Sequence, residues 1–376
     1  MATVYVARRI DGGPSGRGGV VAIKMIRDEF ARSAEFLTMF MDEAKIVSRL
    51  VHPNIVSYLE LGNDDGHVFL AMELLIGQSL WSVWEACRSR KVRLRYDVIA
   101  WIGARAADGL HYAHEFVGDD GQALEIVHRD VNATNVFVTY DGQIKVIDFG
   151  LAKAANRVSR TAAGVIKGKV AYMSPEQAVG APVDRRTDVF ALGTTLWELA
   201  CDRRLFKHSD DVETLRSVHA AVVPDPTKLV DDFPEELWRV LQRALGRKRE
   251  SRYPTAADFA RDLDAFVRTV GAGVNGATVA DVMGALFADD RSRQAAWVAD
   301  ASGPDKRRAP RAPLKVRSAF WAPDEATEAS VSTGVADVPR LPLATEARPR
   351  RRRALLVAVA IAVVLAAAGA VALALR

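Results

Sequence analysis

The stretch "VHRDVNATNVF", residues 127–137, places the carboxylate of Asp130 directly after a His-Arg pair and the amide of Asn135 five residues later. A second carboxylate, Asp148, follows in "IDFG", straight after a predicted hairpin. A carboxylate at a sharp loop can accept the proton of an attacking hydroxyl. Carboxylate and amide oxygens can also hold Mg²⁺. The stretch therefore points to phosphoryl transfer from a nucleotide triphosphate.

The hydrophobic pattern on either side of this stretch is typical of an α+β fold. Residues 1–75 are predicted to form mostly short strands with one helix. Residues 76–270 are predicted to be mainly helical, interrupted by a hairpin whose turn is Asp141-Gly142. We expect one domain over residues 1–270, made of a small β-rich lobe and a larger helical lobe.

Composition excludes some functions. The net charge of +4 is small for 376 residues and gives no reason to expect nucleic-acid binding. The two cysteines, Cys87 and Cys201, lie far apart in no metal-binding spacing, so we expect two buried thiols in a reducing cytoplasmic compartment.

The C-terminal part differs in kind from the rest of the chain. Residues 271–353 are predicted to be a largely flexible linker, with one more short helix at 276–289. Residues 354–375, "ALLVAVAIAVVLAAAGAVALAL", carry no polar side chain and are long enough to cross a bilayer, and "RPRRRR" at 348–353 precedes them. Basic flanks stay on the cytoplasmic side, so we expect a single-pass anchor in the inner membrane with the domain in the cytoplasm. The alternative is a buried core helix.

Five further motifs occur along the chain. "VAIK" contains Lys24, the helix "FMDEAKIVSRL" contains Glu43, "SPE" ends at Glu176, "TDVFALG" contains Asp188, and "SRYPTAADFARDL" contains Arg252. Together with "HRDVNATN" and "DFG", these resemble bacterial, eukaryotic-like (Hanks-type) serine/threonine protein kinases, in that family's order, over residues 1 to about 268. The resemblance implies a bilobal kinase fold in which Asp188 ties down the catalytic loop and Arg252 pairs with Glu176. It also implies that His128 and Phe149 stack with a residue on the helix that carries Glu43, here Val47.

The resemblance also implies the ligands. ATP with Mg²⁺ or Mn²⁺ would be the cofactor, and Ser/Thr-containing proteins the substrates. Asp130 would be the base, Asn135 and Asp148 the metal ligands, Lys24 the phosphate contact and Glu43 its ion-pair partner. The adenine pocket would be formed by the roof residues Val4 and Ala22, the floor residue Phe137, the gatekeeper Met72, and the hinge residues Glu73 and Leu75.

The N-terminus departs from the family. Of the glycine-rich loop and its first strand, "MATVY" supplies only the end, with Ala2 and Val4 in the last places. Either translation starts upstream or the chain is a defective nucleotide binder. A pseudokinase scaffold is therefore the alternative function. A small-molecule kinase is a third, which the "SPE" segment and Asp188 disfavour.

The phosphate-binding lysine of the family is also missing. Asn132 stands where serine/threonine kinases have Lys, tyrosine kinases have Arg nearby, and no Arg occurs at 131–134. Lys169 stands where the family commonly has Thr. We hypothesise that Lys169 supplies the missing cation while Asn132 hydrogen-bonds Asp130 or the substrate hydroxyl. The alternative is that Lys169 points to solvent and the enzyme is slower.

Two hydroxyls lie between "DFG" and "SPE". Phosphorylated Ser159 or Thr161 could pair with Arg129 and order this segment, and a homodimer would allow autophosphorylation. The alternative is that both are exposed loop hydroxyls.

Overall fold

The computed structural model describes residues 2–8, 19–27, 34–64, 67–149, 169–271 and 273–302. The strands are β1 (Ala2–Arg8), β2 (Val20–Ile26), β3 (Tyr58–Asp64), β4 (His67–Glu73), β5 (Gly77–Ser79), β6 (Val136–Thr139) and β7 (Ile144–Val146). The helices are α1 (Ala34–Val47), α2 (Leu80–Ser89), α3 (Tyr96–His114), α4 (Pro175–Ala178), α5 (Arg186–Cys201), α6 (Asp211–Ala220), α7 (Glu235–Ala244), α8 (Ala256–Val270) and α9 (Gly276–Ser302).

The smaller lobe is an antiparallel sheet with one helix. The strand order is β1-β2-β4-β3, and β1 pairs with β2 from Ala2↔Ile26 to Arg8↔Val20. Helix α1 buries Phe40, Ala44 and Val47, which recur at the spacing of one helix face. The strands and the helix predicted for this part of the chain are confirmed.

The larger lobe is helical and is built around α5. Almost every residue of this helix is buried, including the large side chains Phe190 and Trp197 and the charged side chains Asp188 and Glu198, so it lies at the centre of the lobe. Helices α3, α7 and α8 pack around it, and the small sheet β5-β6-β7 lies at the junction of the lobes. The predicted hairpin is present, with Gly142 at φ +85° in its turn.

Helix α9 extends the domain beyond the predicted boundary at residue 270. The short helix predicted at 276–289 is present and continues to Ser302, with non-helical backbone angles at Phe287. Its first half buries the apolar side chains Val279, Val282, Met283, Leu286 and Phe287. Each contributes about 1.5–3 kcal/mol relative to exposure. The segment 271–353, predicted to be mostly linker, therefore begins with a packed helix.

Several sequence predictions fall outside the described residues. These are the remaining linker, 303–353, the predicted span, 354–375, and Ser159 and Thr161. Within the described ranges, no helix combines the length and hydropathy needed to cross a bilayer. Cys87 and Cys201 are both buried and free, and burial raises the pKa of each thiol to about 12.

Candidate active site

Four of the residues predicted to form the nucleotide pocket lie on one face of the smaller lobe's sheet. Lys24 and Ala22 are two residues apart on β2 and therefore point to the same face. Val4 is paired with Lys24, and Met72 is paired with Ala22. Residues directly opposite one another share a face, so all four side chains lie on one surface. Because Lys24 reaches the larger lobe, that surface faces the cleft.

Lys24 meets Asp148 across the cleft. Its Nζ lies 2.5 Å from Asp148 Oδ1, and the two side chains are 16% and 22% exposed. Asp148 has φ +64°, a left-handed conformation that is costly for a residue with a side chain and is often found at functional sites. Two residues predicted from separate motifs to bind phosphates and metal are thus brought together. The side chain of Glu43, the predicted partner of Lys24, lies outside the described part of the chain.

Asn135 holds the proposed base in place. Its Nδ2 donates to Asp130 O at 2.7 Å and to Asp130 Oδ2 at 3.0 Å. Asn135 is itself fixed, because Ile147 N–H donates to its carbonyl oxygen at 3.0 Å. Its side chain is 2% exposed. With Nδ2 committed to Asp130, Oδ1 is the atom that could bind a cation.

Asn132 is a buried part of the same loop. Its Oδ1 accepts from Thr134 N–H at 2.8 Å and from Thr134 Oγ1 at 2.5 Å. Its Nδ2 donates to Asp130 O at 2.9 Å and to Asp130 Oδ1 at 3.3 Å. The predicted hydrogen bond to Asp130 is therefore present, and the amide also closes the turn that leads to Asn135. Lys169 begins a short 3₁₀ helix, Lys169–Tyr172, but its side chain lies outside the described part.

The His-Arg pair before the base supports the loop. His128 is fully buried, its Nε2 lies 2.9 Å from Ile147 O, and Asp130 N–H donates to its Nδ1 at 3.3 Å. These partners assign the proton to Nε2. Its ring contacts Phe149 with centroids 4.7 Å apart and ring planes tilted by 56°. Val47 of α1 is buried as well, and the predicted stacking of both rings with it stays a prediction. Arg129 has φ +66°, so the residues before Asp130 are held in a strained turn.

Asp188 fastens this turn to α5. Its carboxylate accepts the N–H groups of His128 and Arg129, both at 2.8 Å, as predicted. His114, which was not predicted, provides a third contact at 2.8 Å. Burial opposes ionisation of Asp188, but the bonds from His114 and the backbone outweigh it, so the pKa of this carboxyl is lowered.

The "SPE" segment is anchored as predicted. Arg252 donates from Nη1 and Nη2 to the two oxygens of Glu176 at 2.7 and 2.8 Å. Burial opposes ionisation of Glu176, but Arg252 keeps its pKa lowered. Gln177 was missed: it completes a capping box with Ser174 and donates from Nε2 to Arg129 O at 3.1 Å. The S-x-x-Q pattern of "SPEQ" could have revealed the cap.

The hinge residues lie between the two lobes. Met72, Leu75 and Phe137 are partly buried against the core, as fits an adenine pocket. Glu73 N–H donates to Ser57 O at 2.9 Å, so this donor is not available to adenine. Its carboxylate instead contacts Lys145 Nζ at 2.8 Å, an ion pair between the lobes that the sequence did not indicate.

The donor set fits a magnesium ion bound with a nucleotide. Among the described residues, no group of three or more His, Cys, Asp or Glu side chains could hold a metal by itself. Mg²⁺ at nucleotide sites typically takes one or two protein oxygens and completes its shell with phosphates and water. Asp148 and Asn135 can provide those oxygens, and Lys24 can contact the phosphates.

Comparison with known proteins agrees with this geometry. The profile of the protein kinase domain matches residues 3–262. The chain therefore belongs to the protein kinase family, and the predicted bilobal fold is confirmed. The PknI kinase domain of Mycobacterium tuberculosis has a crystal structure with a TM-score of 0.54 and 27% identity, covering 72% of this chain and 92% of that one.

Two relatives are named for different residues that accept the phosphate. Tyrosine-protein kinase MasK of Myxococcus xanthus is 40% identical over 267 residues, which cover 71% of this chain and 41% of MasK. A probable serine/threonine-protein kinase of Clostridium acetobutylicum is 33% identical over 244 residues, which cover 65% of this chain and 35% of that protein. The matched regions thus span about two fifths or less of these curated relatives.

Proposed function

We propose that this chain transfers the γ-phosphoryl group of ATP to the hydroxyl of Ser or Thr in protein substrates. The observation that carries the proposal is the placement of Asp130. Its carboxylate is fixed by Asn132 and Asn135 in one loop, and Asn135 continues directly into the segment that ends at Asp148. A base and two metal-binding oxygens on one rigid framework are what phosphoryl transfer needs.

In the reaction, the acceptor oxygen attacks the γ-phosphorus while the bond to the β–γ bridging oxygen breaks. Asp130 takes the hydroxyl proton, and ADP leaves with the electron pair of the broken bond. Mg²⁺ or Mn²⁺, when bound with ATP, neutralises the charge of the phosphates. Asn135 and Asp148 would hold it, and Lys24 would orient the α- and β-phosphates. The apolar face with Val4, Ala22 and Met72 receives the adenine.

A set of single substitutions tests this function. The full chain in mild detergent is supplied with γ-labelled Mg-ATP and a generic protein substrate. Asp130→Asn and Asp148→Asn should each lower transfer by about a hundredfold or more, without lowering the melting temperature substantially. Asp42→Asn, on an exposed carboxylate of α1, is the control and should be fully active. Turnover that survives Asp148→Asn would refute the metal assignment.

Binding measurements separate the proposed kinase from the pseudokinase alternative. If Mg-ATP stabilises the protein but no phosphate is transferred, the chain is a pseudokinase scaffold. Phosphate transfer to peptides that differ only in carrying Ser, Thr or Tyr identifies the residue that accepts the phosphate. We expect Ser and Thr to be used, because residues 131–134 lack the Arg that tyrosine kinases carry. The name of MasK makes the Tyr peptide a necessary arm of the assay.

The cation for the γ-phosphate is proposed to come from Lys169. Lys169→Ala should then lower the rate by about a hundredfold, and Lys169→Arg should retain much of it. An Asn132→Lys replacement is a poor rescue, because it removes the amide that binds Thr134 and Asp130. If Lys169→Ala leaves the rate unchanged, this assignment is wrong.

We further propose that residues 354–375 anchor the kinase at the cytoplasmic face of the inner membrane. The apolar run and the preceding arginines support this. Full-length protein should require detergent for extraction, and deletion of 354–375 should release it. Extraction of the full chain without detergent would contradict the anchor.

Autophosphorylation within a homodimer is proposed to act on Ser159 or Thr161. Mass spectrometry of active protein should find phosphate on one of them. An active protein with neither site modified would argue against this control.

A further inference from the structure

Gly77 lies on β5, at the edge of its sheet, and its backbone N–H and C=O groups form hydrogen bonds with a side chain. A Cβ here would lie 2.2 Å from Val138 O, so β5 approaches β6 too closely for any other residue. Tyr140 N–H donates to Ile76 O, which places Gly77 at the alternate position of the ladder, where N–H and C=O point away from β6. Gly77 N–H donates to Gln294 Oε1 at 3.0 Å, and Gln294 Nε2 donates to Gly77 O at 3.0 Å. One amide side chain thus takes the place of a neighbouring strand.

Gln294 belongs to a helix that touches both lobes. Helix α9 contacts α2 and β6 of the larger lobe and β1 and β2 of the smaller lobe. Its first residue is fixed at the β6–β7 turn, where a Cβ on Gly142 would lie 1.8 Å from Gly276 O. The helix therefore bridges the lobes at the hinge, and the five buried apolar side chains of its first half fasten it to the domain.

The hinge is consequently held at both ends. At one end Glu73 is bonded to Ser57 and Lys145, and at the other end Gly77 is bonded to Gln294. Residues 74–76 between them carry the chain from one lobe to the other. The angle between the lobes sets the separation of the roof on β1 and β2 from the floor on β6.

We infer that Gln294 is a positioning residue for the nucleotide site, and that α9 fixes the angle between the lobes through it. The inference rests on the proposed function. Releasing Gly77 would let the lobes sample more angles and would lower the fraction of molecules able to bind nucleotide. The apparent dissociation constant rises in inverse proportion to that fraction. The rate at saturating ATP should change little, because Gln294 touches none of the reacting groups.

The test compares Gln294→Leu, Gln294→Glu and a control, Ser292→Ala, in the full chain in detergent. Ser292 is exposed on the same helix, and its hydroxyl donates to Ala288 O one turn earlier in that helix. We expect exchange of the Gly77 amide hydrogen to accelerate about tenfold or more in the Leu variant. The Kd for Mg-ADP and the KM for ATP should rise about five- to tenfold with kcat within about twofold, the scale expected for two lost neutral hydrogen bonds. The Glu variant keeps an acceptor for Gly77 N–H and should be intermediate.

The outcomes are distinguishable. If the wild type binds Mg-ADP and the Leu and Glu variants bind equally well, the inference is overturned while the proposed function stands. Unchanged Gly77 exchange in both variants overturns it as well, whatever the activity. If the wild type binds no Mg-ADP, the proposed function itself fails. Should the Leu variant not fold, the Glu variant decides, because it preserves size and polarity.

Discussion

Removing one partner of the ion pair between Glu73 and Lys145 should cost more stability than removing both partners together. The Lys145 side chain is 8% exposed, and its ammonium has Glu73 Oε1 at 2.8 Å and Ile55 O at 3.3 Å. Glu73→Gln keeps the side-chain volume and an acceptor for Ser57 N–H but removes the charge. A buried charge without its partner typically costs 3–5 kcal/mol. Because the Glu73 side chain is 31% exposed, we expect the low end, about 3 kcal/mol.

The opposite substitution should cost less. Lys145→Met leaves the Glu73 carboxylate with Ser57 N–H and access to water, so we expect a loss of about 1 kcal/mol. The double variant has neither charge and should lie within about 1 kcal/mol of the wild type. Adding Lys145→Met to Glu73→Gln should therefore restore stability, with a coupling energy of about 3 kcal/mol.

Urea unfolding and thermal melting of the full chain in detergent measure these differences. At roughly 2–4 °C per kcal/mol for a domain of this size, Glu73→Gln should lower the melting temperature by about 6–12 °C. The urea slope should be unchanged if only native stability is affected. Asp42→Asn breaks an exposed pair with Lys45 and should cost less than about 0.5 kcal/mol. A double variant less stable than Glu73→Gln alone would refute the reasoning.

Three further changes have defined outcomes. The pKa of Asp188 is lowered, so its stabilisation is fully present above the unfolded value of about 3.9 and is lost as pH falls further. The difference in urea midpoint between the wild type and Asp188→Asn should therefore be constant from pH 7 to about pH 5 and shrink only below about pH 4, and a difference that shrinks already at pH 6 would contradict this. Gly142→Ala should lower the melting temperature more than Gly273→Ala. Both glycines have positive φ, but only at Gly142 would an added Cβ clash with backbone atoms, those of Gly276 in α9. Equal losses would contradict the packing of α9. Arg252→Lys should destabilise by about 2 kcal/mol by losing the two-pronged contact with Glu176, and a neutral result in thermal melts would oppose that role.

The parts of the site that could be predicted are those whose chemistry fixes a spacing. Asp130, Asn135 and Asp148 were recognisable because a base and metal ligands must follow one another along one loop and hairpin. The Asp188 contact and the Arg252–Glu176 pair followed from the same family order. Each of these has few alternatives once the fold is given.

The parts that could not be predicted depend on pairs far apart in sequence. Glu73 and Lys145 are 72 residues apart, and Gln294 and Gly77 are 217 apart. Nothing in the local pattern of either partner marks it, because a surface glutamine and a strand-end glycine are common. The first half of α9 was visible as an apolar stretch. Its second half, "DRSRQAAWVADAS", is polar enough to resemble a linker, and only contact with the two lobes distinguishes it.

Helix α9 also bears on where the gene can be cut for protein production. The family match ends at residue 262, inside α8, and a clone trimmed after the end of that helix at Val270 would appear to contain the whole catalytic domain. It would lack the helix that covers β5, leaving the Gly77 backbone as an open strand edge beside newly bared apolar surface. Both features promote self-association. We expect clones ending after Ser302 to yield monodisperse protein where shorter ones aggregate, and light scattering of the two would show it.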